Sequence, residues 1–367
     1  MSLREKLVSC HRRIVDPDCR GPLLALARTV LAPLGGLYGM VTSFRNAAYG
    51  RGWIDQFHAD VPVISVGNIT AGGTGKTPFT IRLASMLLDK GRRPAVLSRG
   101  YGGGEDSGVD DENDLIRDAL PGVPLIINPD RCQGARRATT RHGADVLVMD
   151  DGFQHRRLAR DLDIVLLDAL QPFGGGSLLP RGLLREPLSG LERADILVLT
   201  RSDKVDRERL DKIKKRVELR IGEKPVLEAR HQPVRLVRTT PDGEEALDLK
   251  PLKEGRWAGV CAIGNPRAFR LTLRELGVDL VSFDAFPDHH HYTRNDAEEL
   301  RARARGAGAC GIVGTAKDAK KLAPLWPSDS SVPFHYLAIE LRLSSGADLL
   351  SNRIDAVLNA PSEPHRR

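Results

Sequence analysis

The chain has 367 residues, of which 41% are hydrophobic and 28% charged, and its formal net charge is +7. These fractions are ordinary for a soluble protein, the length predicts two α/β domains, and the positive charge predicts a surface that attracts anions. Its five cysteines lie far apart without a C-x-x-C pair, which excludes a disulfide framework or zinc module and favours a reducing cytosol.

The N-terminal segment departs from this soluble pattern. The run GPLLALARTVLAPLGGLYGMV at 21–41 contains one charge, Arg28, and approaches the roughly 20 residues that span a bilayer. Pro33 and the Gly35-Gly36 pair are expected to break it in the middle. Apolar residues at helical spacing and flanking arginines therefore predict an element that lies at a membrane interface. The alternative is a helix packed on its own domain.

Short apolar runs follow from residue 62, and helix-sized segments separate them. They are PVISV at 62–66, PAVLS at 94–98, PLIIN at 124–128, DVLVMD at 145–150, DIVLLD at 163–168 and DILVLT at 195–200. Near-continuous hydrophobic strands of this kind are typical of a parallel sheet covered on both faces. The pattern predicts a doubly wound α/β domain.

The pattern weakens after a charged helix predicted at 203–220. We place the domain junction and a hinge near 221–245, followed by a smaller α/β unit. Its strands are predicted near 257–263, 279–283, 310–314 and 334–339, and its helices near 266–276 and 294–305, the second capped by Thr293. The predicted division is an N-terminal segment at 1–52, a nucleotide-binding domain at 53–225 and a smaller domain at 226–367.

The clearest chemical motif is SVGNITAGGTGKTP, which joins the first predicted strand to a helix. Its glycine-rich turn offers backbone N–H groups to phosphate oxygens, and the positive end of the helix faces the same anion. We therefore predict a P-loop that binds ATP through Thr70, Ala71, Gly72, Gly73, Thr74, Gly75, Lys76 and Thr77. Thr70 replaces the first consensus glycine. Lys76 is expected to reach the β- and γ-phosphates, and Thr77 to bind Mg²⁺.

A P-loop requires an acidic partner for its metal at the end of a neighbouring strand. Asp150 and Asp151 end the DVLVMDD strand and meet this requirement. On their own, such residues are more often part of a turn or a helix cap. Together with Lys76 and Thr77 they indicate a magnesium-nucleotide site.

Four segments carry a more specific resemblance: VGNITAGGTGKTP, SRGYGG, DDGFQHRRLARDLDIVLLDA and LLPRGLLREPL. Their order and spacing resemble those of the tetraacyldisaccharide 4'-kinases, and the likeness extends to GTAKDAKKL at 314–322. The resemblance implies transfer of the ATP γ-phosphate to the 4'-hydroxyl of tetraacyldisaccharide 1-phosphate, which forms lipid IVA in lipid A biosynthesis. It also implies peripheral or monotopic attachment to the cytoplasmic face of the bacterial inner membrane.

The resemblance further implies several site residues. The family's G-D-E-P segment corresponds to VDDENDLI here, which assigns activation of the acceptor hydroxyl to Asp111 and places Glu112 near the metal. Gly and Pro of that segment are Asp110 and Asn113 in this chain, so the register of the aspartate is open within 110–114. His289 in FPDHHHY matches the histidine that pairs with the aspartate. Arg185 in LLREPL would stabilise charge on the transferred phosphate.

The full prediction is a P-loop NTPase-type doubly wound sheet with a second, smaller α/β domain. The chain is predicted to be a lipid kinase that uses ATP and Mg²⁺.

A P-loop GTPase or metallochaperone is the alternative, because TRSD at 200–203 loosely resembles a guanine-reading motif with Arg201 in place of lysine. A nucleic-acid-dependent ATPase is disfavoured, because aromatic residues make up 5% of the chain and no basic-aromatic stripe occurs. We expect a lipid substrate, a membrane surface, no nucleic acid and no obligatory protein partner. The three histidines at 289–291 as a surface metal site are a further alternative.

Overall fold

The computed structural model describes residues 11, 14, 15, 19, 21–100, 111–240, 243–288, 290–327 and 331–360. The chain forms two compact units. Unit 1 comprises Met1–Arg230 together with Leu341–Arg367, and unit 2 comprises His231–Glu340.

Unit 1 is a parallel sheet with helices between its strands. In chain order its elements are α1 (Pro22–Gly50), β1 (Val63–Asn68), α2 (Lys76–Asp89), β2 (Pro94–Ser98), α3 (Asp111–Ala119), β3 (Leu125–Ile127), α4 (Arg131–His142), β4 (Val146–Asp150), β5 (Leu162–Asp168), β6 (Ile196–Thr200), α5 (Arg207–Ile221) and the start of β7 (Val226–Thr240). All six predicted strands of this part are present. The strand order β7-β6-β5-β1-β4-β2-β3 and the parallel pairing confirm the doubly wound fold.

Burial explains why these runs become central strands. Every residue of β1, β2, β4, β5 and β6 is buried, because the sheet is covered on both faces. In a parallel sheet the carboxyl ends of neighbouring strands meet at one edge, where a doubly wound fold binds its ligand. Asn68, Asp150, Asp168 and Thr200 end β1, β4, β5 and β6 at that edge.

Helix α1 differs from its prediction. It runs without interruption through Pro33, which lies on its exposed side, and through the glycine pair expected to break it. Gly35 and Gly39 are buried instead, and a Cβ on Gly39 would lie 2.6 Å from Leu178 Cδ1. The small residues therefore serve close packing rather than a break. Within the described residues, α1 is also the one helix long and apolar enough to cross a membrane, although length and composition alone do not show that it does.

Unit 2 is a smaller α/β layer. It contains the rest of β7, then β8 (Gly243–Leu247), α6 (Pro251–Glu254), β9 (Arg256–Cys261), α7 (Pro266–Glu275), β10 (Asp279–Ala285), α8 (Arg294–Gly306), β11 (Gly311–Thr315), α9 (Ala316–Leu322) and the start of β12 (Phe334–Ser345). Strands β10, β9, β11 and β12 are parallel, and β8 is antiparallel to β7. The predicted strands and helices are all present. Where the sequence shows only short β-like pieces at the junction, backbone pairing extends β7 to 15 residues.

The C-terminal helix α10 (Ala347–Leu358) lies in unit 1, which differs from the predicted smaller domain at 226–367. Its Leu350 and Ile354 are buried in the same apolar cluster as Leu87 of α2. Lys90 Nζ also binds Asp355 Oδ1 at 2.8 Å. Apolar burial against α2 therefore decides where this helix packs, and sequence position does not.

Candidate active site

The loop between β1 and α2 has the geometry of a phosphate cradle. Gly72 and Gly75 adopt φ values of 114° and 90°, which side chains disfavour, and a Cβ at Gly72 or Gly73 would meet no atom within 4 Å. Helix α2 begins at Lys76 with neither a side-chain cap nor an acidic residue in its first turn. Its first N–H groups and the positive end of its dipole are therefore directed at the open space beside the loop.

Hydrogen bonds fix the shape of this loop. Asn68 Nδ2 donates to the Thr70 carbonyl at 2.7 Å and to Thr74 Oγ1 at 2.9 Å. The segment 183–185 runs beside the loop: Ala71 N donates to Leu183 O at 2.7 Å, and Arg185 N donates to Ile69 O at 2.8 Å. Thr70 at the first consensus position lies in this pairing, opposite Leu184. The replacement of glycine is therefore compatible with an ordered loop.

Three predicted charges meet beside the cradle. Arg185 Nη1 donates to Asp151 Oδ1 at 2.7 Å, and Lys76 Nζ lies 3.6 Å from the same oxygen. Asp151 has φ 50°, an uncommon backbone conformation for a non-glycine residue and one often found at functional sites. Burial opposes ionisation of Asp151, but Lys76 and Arg185 outweigh it and lower the pKa of this carboxyl. Asp151 is thus ionised at neutral pH, and Lys76 and Arg185 place two cations beside it.

Asp150 has a different environment. It is buried, and Thr80 Oγ1 donates to its Oδ1 at 2.7 Å. Burial and then the charge of Glu112 raise the pKa of Asp150 to about 6, against the opposing effects of Thr80 and Lys76. The two adjacent aspartates therefore differ in proton affinity.

The oxygen donors predicted for Mg²⁺ fit a nucleotide-bound ion. Thr77 is buried at the start of α2, one turn before Thr80, which contacts Asp150. Within the described residues no three His, Cys, Asp or Glu side chains gather as a self-contained metal site. Magnesium bound through phosphates needs only one or two carboxylates, because water and phosphate oxygens complete its shell. The pair Thr77 and Asp150 meets that smaller requirement.

The structure locates the predicted acceptor-activating residues only in part. The acidic run around Asp111 begins helix α3 and is not the solvated turn that its composition suggests. Asp114 forms an ion pair with Arg117 at 2.8 Å, and Asn113 is buried, which disfavours a register shift to position 114. The Asp111 side chain, Asp110 and His289 lie outside the described residues. The neighbouring His290 Nε2 lies 3.2 Å from Asp296.

The GTAKDA turn of unit 2 holds the segment that contains these histidines. Asp318 accepts hydrogen bonds from Ala262 N at 2.8 Å and from Tyr292 Oη at 2.9 Å, and it caps α9 through Thr315. Its burial raises the pKa of Asp318, although the hydrogen bonds from Thr315, Tyr292 and Ala262 oppose that shift.

Residues 200 and 201 contribute to the cradle in a way that the sequence alone does not reveal. Thr200 Oγ1 donates to Thr74 O at 2.9 Å, and Arg201 Nη2 donates to Gly73 O at 3.0 Å. Arg201 is nearly buried and pairs with Asp168 at 2.6 Å. The TRSD segment thus holds the P-loop through hydrogen bonds to the carbonyls of Gly73 and Thr74. Because the Arg201 side chain binds Asp168 at the end of β5 and Gly73 O in the loop, this segment has a structural role that does not require guanine.

Arg201→Lys is expected to raise KM for ATP about tenfold, because a lysine that keeps the ion pair with Asp168 loses the charged hydrogen bond to Gly73 O. Steady-state kinetics at saturating lipid checks this. The matched control is Arg209→Lys, since Arg209 is exposed and donates to Leu170 O away from the loop. An unchanged KM for ATP in Arg201→Lys would show that the loop does not depend on this contact.

Comparison with known proteins shows the family to which the chain belongs. The family model for tetraacyldisaccharide-1-P 4'-kinase matches residues 27–359. Tetraacyldisaccharide 4'-kinases of Syntrophus aciditrophicus and of Anaeromyxobacter sp. strain K are 41% and 39% identical, over 94% of this chain and 96% and 94% of theirs. LpxK from Aquifex aeolicus, crystallised in complex with ATP, is 31% identical with a TM-score of 0.69, over 90% of this chain and 99% of that one. These matches confirm the resemblance carried by the motifs, and the chain belongs to the tetraacyldisaccharide-1-P 4'-kinase family.

Proposed function

We propose that this chain transfers the γ-phosphate of ATP to the 4'-hydroxyl of tetraacyldisaccharide 1-phosphate, the step of lipid A biosynthesis that forms lipid IVA. The observation that carries the proposal is the convergence of Lys76, Arg185 and Asp151 beside an open P-loop. Family membership supplies the lipid substrate, and the related Aquifex enzyme was crystallised with ATP.

In the proposed mechanism the residues of unit 1 position the nucleotide. The first N–H groups of α2 and the loop from Thr70 to Thr77 bind the phosphates, and Lys76 neutralises charge on the β- and γ-phosphates. Asp150 and Thr77 would hold Mg²⁺, which when bound draws charge from the phosphate oxygens. Asp151 and Glu112 would add their carboxylates to the surroundings of this ion. Arg185 exchanges its contact with Asp151 for the transferred phosphoryl group and stabilises charge there.

The acceptor side of the proposal assigns the proton of the sugar hydroxyl to Asp111, with His289 as its partner. The resemblance of VDDENDLI and FPDHHHY to the family's segments supports these two roles, although Gly and Pro of the first segment are Asp110 and Asn113 here. No covalent enzyme intermediate is required, since phosphoryl transfer can proceed in line between two bound substrates. Closure of the chain about the hinge at 221–245 stays a prediction.

Asp111→Ala is expected to lower kcat about 10²-fold, because the attacking hydroxyl loses its proton acceptor, while the affinity for ATP changes less than about twofold. Single-turnover phosphate transfer and equilibrium binding of a fluorescent ATP analogue separate the two effects. Asp118→Ala, in the last turn of the same helix α3, is the matched control. Equal losses of turnover and of ATP affinity would contradict the role of Asp111.

We further propose that α1 lies on the cytoplasmic surface of the inner membrane as a peripheral or monotopic element. Its exposed face carries an outer apolar patch that consists of Leu23, Leu26, Val30, Leu34, Leu37, Met40, Val41 and Phe44, each more than half exposed. An unpartnered apolar face of this length favours lipid over water. The nearby Trp53 and Arg51 suit the headgroup region.

Leu26→Glu combined with Val30→Glu is expected to reduce binding to anionic lipid vesicles at least about tenfold, because each change places a charge at the apolar boundary. Vesicle flotation measures it. Leu219→Glu is the control, since this exposed leucine lies on α5 rather than on the patch. Undiminished flotation of the double variant would exclude the patch as the membrane contact.

The decisive test of the activity is incubation of the purified protein with ATP and tetraacyldisaccharide 1-phosphate in detergent. Mass spectrometry should detect one added phosphate on the lipid. Replacing ATP with GTP tests the switch-protein alternative in the same assay. A strong preference for GTP, or hydrolysis without lipid phosphorylation, would overturn the proposed function.

A further inference from the structure

Helix α1 packs on the segment that carries Arg185. Gly35 and Gly39 on its inner side allow close contact, since a Cβ at Gly35 would lie 3.4 Å from Leu178 O and one at Gly39 would lie 2.6 Å from Leu178 Cδ1. The outer apolar patch faces away from this contact. One helix therefore has an inner side shaped to fit the kinase unit and an outer side left exposed.

The backbone of Arg185 is held from two directions. Its N–H donates to Ile69 O, just before the P-loop, at 2.8 Å. Its carbonyl accepts a hydrogen bond from Tyr38 Oη of α1, also at 2.8 Å. The Arg185 guanidinium extends from this fixed backbone to Asp151. Tyr38 thus holds the residue that reaches the reacting phosphate, although Tyr38 precedes it by 147 positions.

Glu186 provides a second connection. This carboxylate is fully buried, and its Oε2 accepts from Asn46 Nδ2 of α1 at 2.9 Å and from Arg193 at 2.8 Å. Its Oε1 accepts from Gln154 Nε2, which also donates to Asn68 O at the entrance to the P-loop, both at 2.8 Å. A buried charge must be satisfied by several donors, so Glu186 fixes the relative positions of α1 and the loop.

Asn46 is itself held in place. Its carbonyl accepts a hydrogen bond from Arg156 Nη1 at 2.7 Å, and the Arg156 guanidinium lies 5.3 Å from the ring centroid of Tyr49 on the same helix. Arg156 follows the β4 turn that contains Asp151. The contacts of α1 therefore reach the active site through two segments of unit 1, at 151–156 and at 185–186.

We propose that Tyr38 and Asn46 are positioning residues for phosphoryl transfer, which makes α1 a component of the catalytic unit as well as its exposed apolar element. They hold the backbone of Arg185 and the buried Glu186 so that the guanidinium reaches the γ-phosphate. The inference rests on the proposed catalytic role of Arg185. It does not depend on whether the outer apolar patch binds lipid.

The test is a double-mutant cycle between Tyr38→Phe and Arg185→Ala, assayed in detergent with saturating lipid and ATP. Tyr38→Phe alone should lower kcat about 3- to 10-fold, which corresponds to one lost hydrogen bond, with both KM values changed less than about twofold. In the Arg185→Ala background the same change should have no further effect. Asn46→Ala should behave like Tyr38→Phe with a larger loss, because it leaves a buried carboxylate one donor short.

Two controls separate this role from a general loss of stability. Ser43→Ala removes a hydroxyl from an exposed position of α1 and should leave kcat unchanged. Thermal unfolding, followed by circular dichroism, should show that Tyr38→Phe remains folded at the assay temperature. Multiplicative losses in the double variant, or a silent Tyr38→Phe beside an inactive Arg185→Ala, would overturn the positioning role. Full activity of Arg185→Ala would instead remove the proposed role of Arg185, and this inference with it.

Discussion

Lys76→Ala is expected to lower kcat roughly 10³-fold, the largest loss that we expect from a change within the P-loop. Lys76 is the first residue of α2, and its Nζ lies 3.6 Å from Asp151 and 3.4 Å from Asn68 Oδ1. That position lets it reach phosphates held over the loop. Without it, stabilisation of the developing charge on the transferred group would depend on Arg185, the loop N–H groups and bound Mg²⁺.

The fold should tolerate this change. Asp151 keeps its 2.7 Å contact with Arg185, and Asn68 keeps its bonds to Thr70 and Thr74, so the cradle retains its shape. Single-turnover kinetics with radiolabelled ATP measures the loss, and Lys212→Ala on the exposed side of α5 is the matched control. If Lys76→Ala kept more than about a tenth of the wild-type turnover, the loop at 70–77 would not be the phosphate site.

The sequence predicts the fold well where structure follows from local patterns. Six strands of unit 1 and four strands of unit 2 lie close to their predicted positions. The five fully buried strands of unit 1 follow continuous apolar runs, because a parallel sheet with two covered faces requires such runs. Gly72 and Gly75 mark the P-loop in the same way, since their backbone conformations require glycine. Local chemistry therefore fixes the sheet and the phosphate cradle.

Predictions that depend on contacts distant in sequence fared less well. Pro33 and the Gly35-Gly36 pair predicted a break in α1, but Gly35 and Gly39 pack against the 178–181 segment, which no local pattern reveals. The apolar residues of α10 gave no sign that they pack against α2 rather than within unit 2. TRSD at 200–203 resembled a guanine-reading motif with Arg201 in place of its lysine, but Arg201 binds Asp168 and Gly73 O. Each correction concerns which surface a segment packs against.

The site shows the same limit. Lys76, Asp150, Asp151 and Arg185 were identified from motifs, and the structure brings them together at one sheet edge. Asn68, Gln154 and Glu186 lie within the quoted motifs, but the motifs alone do not show that these side chains act on the loop. Their importance follows only from burial and from shared hydrogen bonds. A buried, multiply bonded Glu is the signal to look for beside such a motif.

Asp150→Asn is expected to abolish phosphate transfer while stabilising the fold. A neutral amide would hold Mg²⁺ poorly, and the loss of charge stabilisation should lower kcat roughly 10³-fold. The amide has the shape of the carboxylate, and its oxygen can still accept the hydrogen bond from Thr80. Activity measured over a range of magnesium concentrations checks the first half of the prediction, and a wild-type kcat with an unchanged magnesium requirement would contradict the loss of a ligand.

The stability effect follows from the raised pKa of Asp150. Its folded value of about 6 lies above the ordinary 3.8, so the fold favours the protonated acid. Ionisation therefore removes stability as pH rises from about 4 to about 6, and that stability stays lost at higher pH. Asp150→Asn carries no charge to bury, so at pH 8 its free energy of unfolding should exceed that of the wild type by roughly 1–3 kcal/mol.

Urea unfolding at pH 4 and pH 8, without nucleotide and with a chelator, measures the difference, which should be small at pH 4 and appear at pH 8. Asp55→Asn is the control, because Asp55 is exposed. A variant less stable than the wild type at pH 8 would show that Asp150 is held by attractive contacts rather than kept at a cost in stability. The variant should therefore gain free energy of unfolding while it loses activity. That combination distinguishes a carboxylate whose role is metal binding from one whose role is to stabilise the fold.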